Sequence, residues 1–377
     1  DTLLLSVICL KSIEHFIKVK KIIEKRKKDS MNKIFDCLAT IKKESKEKKV
    51  IVVGDYFLDK YIYISDKNTG VSIYSGNAAY VIDKTIYSPG AAGTVAKNLF
   101  NIGIGKIYAL GFIGDDGDGY SLRKSLQNYS IITDALITLA DRNTPCYTMI
   151  MRDFGNGYVE YGEASVQNYQ LTSSQTEKEL ITKLGEMVEN INPDAIVYLD
   201  QLDYENYGVV TRGMRHNIFK LKKKYPEILV YIDSRKFIND ATSLSVRKCN
   251  NHEFERAYKI TSEEIPFICK KISKGSNIPI IVTLGNKETV ISINGKANIV
   301  PCFPIEGRID TRGAGDAFTT GYITSRLCGL GELESTIIGN AVATCCVSQI
   351  ATTGHITIHD IEKVLCEKTK EEIYYEL

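Results

Sequence analysis

The chain lacks an excess of charge of either sign: 48 lysines and arginines stand against 46 acidic residues, a net charge of +2 over 377 residues. That balance gives no electrostatic footprint for a nucleic-acid partner, and no RNA-binding or helix-turn-helix signature accompanies it. The ten cysteines form no CxxC pair, which argues against a zinc site or redox centre. Cys345 and Cys346 adjoin in an apolar, helix-like run where small buried side chains are expected, and reduced thiols in a cytoplasmic enzyme account for the set. The apolar stretch Leu3-Leu4-Leu5-Ser6-Val7-Ile8-Cys9-Leu10 is far short of the roughly 20 residues that span a bilayer. With no basic residue before it and no small-residue cleavage site after it, it is not expected to be a signal peptide. No membrane partner is expected. Residues 1–30 are expected to be an extension without function, the native product starting at Met31, with an amphipathic interaction helix as the alternative.

What is present is an alternation. Lys49-Val50-Ile51-Val52-Val53-Gly54-Asp55 is a β-branched run ending at glycine, the pattern of a strand buried on both faces. Similar runs occupy residues 107–114, 195–200, 229–233 and 279–285, and helical patterns lie at 92–102, 121–129, 177–190 and 210–225. Such alternation predicts an α/β fold whose parallel sheet is covered on both sides, with ligands beyond the carboxyl ends of the strands. Two segments depart from it. Residues 60–88 and 144–163 read as strands rich in Tyr and Ile, the second with Asn156-Gly157 as a hairpin turn. Together they predict a small β-sheet projecting from the body.

The most informative residues are Asp310-Thr311-Arg312-Gly313-Ala314-Gly315-Asp316, just ahead of an apolar helical stretch. Gly313, Ala314 and Gly315 let the backbone approach a ligand, and if Asp316 opens the helix, free amides there face an anion. A carboxylate beside such an anion hole can accept the proton of an attacking hydroxyl. The plainer reading is a strand-to-helix turn with Asp316 as N-cap.

Here the sequence resembles the ribokinase family of sugar and nucleoside kinases, also called the PfkB family, whose signature is D-T-x-G-A-G-D. The likeness covers nearly everything from residue 49 to about 360. It implies a ribokinase-like three-layer α/β/α sandwich with a mostly parallel central sheet and a small β-sheet lid, often shared across a homodimer. It also implies Asp316 as general base and the amides of Gly313, Ala314 and Gly315 as the anion hole. Asp59, in Gly54-Asp55-Tyr56-Phe57-Leu58-Asp59, is implied to bind the sugar, together with Gly90, Ala91 and Thr94 of Ser88-Pro89-Gly90-Ala91-Ala92-Gly93-Thr94. There Ala91 stands for the family's second glycine and Thr94 for its asparagine. Asn250-Asn251-His252-Glu253 matches N-x-x-E, which implies that Glu253 positions Mg²⁺, largely through water, with Asn250 in the same network. His252 reads as a surface residue. Thr283 and Gly285, with Glu288 where the family has a second glycine, are implied to form the ATP side with Thr311, Asn340 and the segment Thr352-Thr353-Gly354. A monovalent cation, K⁺, is a further cofactor left open.

The acidic stretch Gly114-Asp115-Asp116-Gly117-Asp118-Gly119 lacks the terminal Glu of a calcium loop and reads as a strand-to-helix turn. Asp203 to Gly208 and Asp233-Ser234-Arg235 resemble the branch containing bacterial heptose-phosphate kinases, without the lysine that branch carries near the first motif. Residues 1–48 are expected to be an extension and leading helix, 49–365 the kinase domain and 366–377 a tail. The leading expectation is an ATP-dependent kinase acting on a hydroxyl of a sugar or sugar phosphate. A nucleoside kinase on the same scaffold is the second reading. A non-catalytic sugar-binding protein is the third, favoured by Thr94 and Glu288 and disfavoured by Asp316 and Glu253.

Overall fold

The computed structural model describes residues 35–65, 70–155, 157–167, 170–241, 244–305, 307, 309–349 and 355–368. The expectations for residues 1–30, Met31, Asn156 and the segment 352–354 lie outside the described residues. In chain order the strands are β1 (Lys49–Gly54), β2 (Tyr56–Ser65), β3 (Gly70–Val71), β4 (Ala78–Ala79), β5 (Ile82–Ala91), β6 (Lys106–Gly114), β7 (Leu136–Leu139), β8 (Cys146–Asp153), β9 (Tyr158–Val166), β10 (Ala195–Asp200), β11 (Leu229–Ser234), β12 (Val246–Asn250), β13 (Ile280–Thr283), β14 (Glu288–Ile293) and β15 (Lys296–Pro301). Residues 35–44 lie in helix α1. It is followed by α2 (Ala92–Ile102), α3 (Gly117–Asn128), α4 (Ser174–Ile191), α5 (Arg212–Lys224), α6 (Asn251–Tyr258), α7 (Ile265–Ser273), α8 (Ala314–Leu327), α9 (Glu332–Val347) and α10 (Ile358–Lys368).

A nine-stranded sheet in the order β15-β14-β13-β12-β11-β10-β1-β6-β7 forms the centre. It is parallel from β7 to β13 and ends in the antiparallel β13-β14-β15 meander. Because successive side chains of a strand point to opposite faces, each apolar run feeds two cores. Val50, Val52, Val197 and Leu199 pack with Val95 and Leu99 of α2, Phe318 and Tyr322 of α8, and Val342 of α9. Their neighbours Ile51, Val53, Ile196 and Tyr198 pack with Leu184 of α4, Met214 and Ile218 of α5, and Phe254 of α6. The three-layer α/β/α architecture is therefore the expected one.

Helix α1, the expected leading helix, buries Leu38 and Ile41 in the same core as the sheet. Several boundaries differ from expectation. Helix α10 runs through residues 366–368, which were expected to be tail. Helix α3 begins at Gly117, four positions before the predicted start, because the Asp116 carboxylate caps it by accepting the Gly119 N–H at 2.7 Å. That cap supports the strand-to-helix reading of the acidic stretch. Among the described residues, no cluster of three His, Cys, Asp or Glu is arranged to hold a metal, and no helix is long and apolar enough to cross a membrane.

The projecting sheet is four-stranded in the order β5-β2-β8-β9, with β2 antiparallel to β5 and parallel to β8. Strand β2 starts at Tyr56, directly after the residue that follows β1. Asp59 therefore lies inside the projecting sheet, at its root. On one face of this sheet Tyr61, Met149 and Met151 form a small buried cluster with Tyr63 and Tyr147.

Candidate active site

Parallel strands carry their acids to one edge. Asp200 closes β10, Asp233 lies one residue before the end of β11, and Asn250 ends β12 and caps α6, which carries Glu253. The N-terminus of α8 completes this edge, the one where ligands are expected in such sheets.

A buried ion pair links these elements. Lys248 Nζ of β12 lies 2.7 Å from Asp233 Oδ2, with the two side chains 4% and 6% exposed. The same carboxylate oxygen accepts the Thr319 hydroxyl of α8 at 3.2 Å, and Thr319 Oγ1 in turn lies 3.1 Å from the Tyr231 hydroxyl. A Cβ at Gly315 would stand 2.8 Å from Lys248 Nζ, so glycine is what admits the ammonium behind the first turn of α8.

Helix α8 begins at Ala314, two residues before the expected start, which puts Asp316 in the first turn rather than at the N-cap. The N-cap is Gly313, at φ 72°, a conformation that favours glycine. The Ala314 N–H turns back to the Thr311 carbonyl at 3.3 Å. Burial pushes the Asp316 carboxyl up to about 7, with the charge of Asp233 adding to the rise and Lys248 and Arg235 opposing it. A carboxylate with that affinity for protons suits a general base near neutral pH.

Asp59 sits opposite Ser88 across the β2–β5 pair. A Cβ at Gly90 would lie 2.5 Å from Asp59 Oδ1, so this glycine makes room for the carboxyl. Burial pushes Asp59 up to about 7 as well, against the positive charges of Lys97 and Arg312. Ala91 holds φ 51°, a strained conformation for a residue with a Cβ, costing on the order of 1–3 kcal/mol. Thr94 does not face this space with its hydroxyl. It is buried and donates to the Pro89 carbonyl at 3.2 Å.

Asn250 and Glu253 form a reciprocal capping box: the Glu253 N–H donates to Asn250 Oδ1 at 2.9 Å, and the Asn250 N–H donates to Glu253 Oε2 at 2.8 Å. Burial and the neighbouring Asp233 charge raise the Glu253 pKa. One oxygen is thus spent on the cap, and the Lys248 and Arg235 charges oppose that of Asp233 at this carboxylate. A single half-buried carboxylate of this kind fits Mg²⁺, which keeps several waters and leans on one or two carboxylates plus phosphates. His252 is on the surface as expected. Thr283 ends β13, and Gly285 makes the following turn at φ 63°. Asn340 is brought to no open site: its Oδ1 accepts from Thr289 Oγ1 at 2.8 Å and its Nδ2 donates to the Val300 and Pro301 carbonyls at 3.3 and 3.1 Å. Thr311 is exposed.

Two residues that the sequence reading passed over hold the site together. Lys248 stands in Val246-Arg247-Lys248-Cys249-Asn250, two positions before Asn250; a lysine inside a buried strand was the available signal. Arg312 binds Asp310 through Nε at 3.0 Å and Nη2 at 2.9 Å, while its Nη1 reaches Glu160 Oε2 of β9 at 3.0 Å. It therefore clasps the projecting sheet to the loop before α8.

A family model described as pfkB family carbohydrate kinase matches residues 47–358. The bifunctional protein HldE of Bradyrhizobium diazoefficiens is 25% identical over 307 residues, which cover 80% of this chain and 60% of that protein. The chain thus spans about three fifths of that relative's length. A nucleoside kinase of Methanocaldococcus jannaschii is 24% identical over 311 residues, 79% of this chain and 90% of that one. The solved structure of Arabidopsis thaliana ribokinase complexed with ribose and ATP superposes with a TM-score of 0.59 at 17% identity, covering 84% of this chain and 98% of that one.

Replacing Lys248 by Met leaves the Asp233 carboxylate buried without its cation, so the variant is expected to lose about 3–5 kcal/mol of stability. Urea denaturation checks this, and adding Asp233→Asn is expected to recover part of the loss. Strictly additive losses would show that the pair is not coupled.

Proposed function

The chain belongs to the pfkB family of carbohydrate kinases, and from that premise we propose that it transfers the terminal phosphoryl group of ATP to a hydroxyl of a sugar or sugar phosphate, with Asp316 as general base. The observation that carries this reading is the Asp316 carboxyl, raised to about 7 in the first turn of α8. The acceptor lies against Asp59 and gives its hydroxyl proton to Asp316. The oxygen then forms the new bond to phosphorus as the bond to the leaving diphosphate breaks. The Gly313 and Gly315 amides and the helix dipole stabilise charge on the phosphoryl oxygens, the Ala314 N–H of the expected anion hole being turned to the Thr311 carbonyl, and most of the acceleration comes from positioning and electrostatics. Glu253, with Asn250 beside it, would hold Mg²⁺, which would supply positive charge to neutralise the phosphates. A nucleoside acceptor is the second reading, favoured by the likeness to the archaeal nucleoside kinase over 90% of its length. An ADP-release assay across hexoses, pentoses, heptose phosphates and nucleosides separates the two.

Asp316→Asn is expected to lower turnover by about 10² to 10⁴. A raised carboxyl must lose its proton before it can act as base, so kcat in the wild type is expected to climb as pH rises through about 7. Turnover near that of the wild type in the variant would remove the assignment. Glu253→Gln is expected to demand more Mg²⁺ for half-maximal rate with little change in the KM for the sugar; the opposite pattern would move Glu253 to the acceptor side.

The exposed apolar side chains of the projecting sheet, among them Ile82, Ile86, Val159 and Tyr161, support a homodimer in which a second copy covers this sheet, since isologous dimers are the commonest assembly. Sedimentation equilibrium at micromolar concentration is expected to give twice the chain mass. A monomer with full activity would remove the proposal.

A further inference from the structure

The acceptor side of the site contains a cation that neither the motifs nor the mechanism above uses. Lys97 stands on α2 one turn beyond Thr94 and is 2% exposed. Its Nζ donates to Ser88 Oγ at 3.2 Å. Ser88 is the residue directly opposite Asp59 across the β2–β5 ladder, and side chains of such cross-strand partners lie on one face about 4.5–5.5 Å apart at Cβ. The ammonium is therefore delivered to the flank of the Asp59 carboxyl. Meanwhile the Thr94 hydroxyl, which would otherwise be the donor from this helix, is consumed by the Pro89 carbonyl.

We propose that Lys97 is a specificity-determining residue of the acceptor site, its ammonium donating to one hydroxyl of the sugar while Asp59 accepts from a neighbouring one. This rests on the sugar-kinase reading above. A buried lysine is retained only where charge and hydrogen bonds compensate its desolvation, and the carboxylates facing Lys97 are Asp59 of β2 and Asp316 of α8, beside the Cys346 thiol of α9 that burial keeps neutral, with burial still bringing the Lys97 pKa down to about 8. Around Asp59 the charged and titratable groups are Lys97 of α2, Arg312 of the loop before α8, Tyr61 of its own strand and Asp316 of α8. The ammonium already lies in the field of two carboxylates. It is thus matched to a neutral vicinal diol rather than to an anionic substituent, which places the polyhydroxyl part of the acceptor here.

The removal of Lys97 withdraws the largest influence that holds the Asp59 pKa down. An Asp59 that is harder to ionise binds acceptor only at higher pH. The test takes the wild-type enzyme with whichever sugar of the panel it phosphorylates, and compares Lys97→Met and Lys97→Arg. Lys97→Met is expected to raise the sugar KM about tenfold or more, as for a lost charged hydrogen bond. It is also expected to move the acid limb of kcat/KM for the sugar about one pH unit to the alkaline side, with the ATP KM unchanged. Lys97→Arg keeps the charge and misplaces the donor, so the sugar KM is expected to rise while the acid limb stays. An unmoved limb with an unchanged sugar KM in Lys97→Met, or parallel changes in the sugar and ATP KM, would overturn the proposal. Should Lys97→Met fail to fold, an unchanged sugar KM in Lys97→Arg would do so alone. A wild type that phosphorylates nucleosides and no sugar removes the sugar reading itself, and this inference with it.

Discussion

The site depends on one buried ion pair, Lys248 with Asp233. The ends of the parallel strands gather Asp200, Asp233, Glu253 and Asp316 at one edge, and burial raises the pKa of Asp200, Glu253 and Asp316. Carboxylates brought together out of water repel each other unless a cation stands among them. Lys248 serves three of them, its charge countering Asp233, Glu253 and Asp316 together, while Arg215 stands 3.8 Å from Asp200. A Cβ at Gly315 would stand 2.8 Å from Lys248 Nζ, so the ammonium lies close against the first turn of α8.

A hydrophobic pair of similar volume in place of Lys248 and Asp233 would cost the fold little, because desolvation consumes much of what an ion pair returns. The pair is better understood through Asp316. Burial and Asp233 push one way, Lys248 and Arg235 the other, and the balance leaves the group near 7.

The body of this fold was legible because its signals are local. Continuous β-branched runs and the helical stretches between them announced β1, β6, β10, β11 and their covering helices, and Asp310 to Asp316 announced the turn into α8. Strand β12 was not legible. Arg247 and Lys248 interrupt its apolar pattern, and both are buried for reasons that depend on partners far along the chain. The same holds for Thr94 and Asn340: their sequence contexts suggested ligand contacts, yet each side chain meets a backbone or hydroxyl partner that only the tertiary structure supplies. Arg312 occupies a variable position of its motif, so its clasp onto Glu160 left no trace in the pattern.

Among the described residues, two buried lysines divide the acids between them. Lys248 belongs to β12 and faces Asp233, Glu253 and Asp316, whereas Lys97 belongs to α2 and faces Asp59 at the root of the projecting sheet. Asp316 lies in the field of both. A base placed between two fixed cations feels the ionisation of Asp59 directly, since the Asp59 charge is among the influences that raise its pKa. When an acceptor hydroxyl replaces water around Asp59, the field at Asp316 changes with it. With Asp59 on the acceptor and Asp316 as base, as proposed, occupancy of the acceptor site would reach the base through charge.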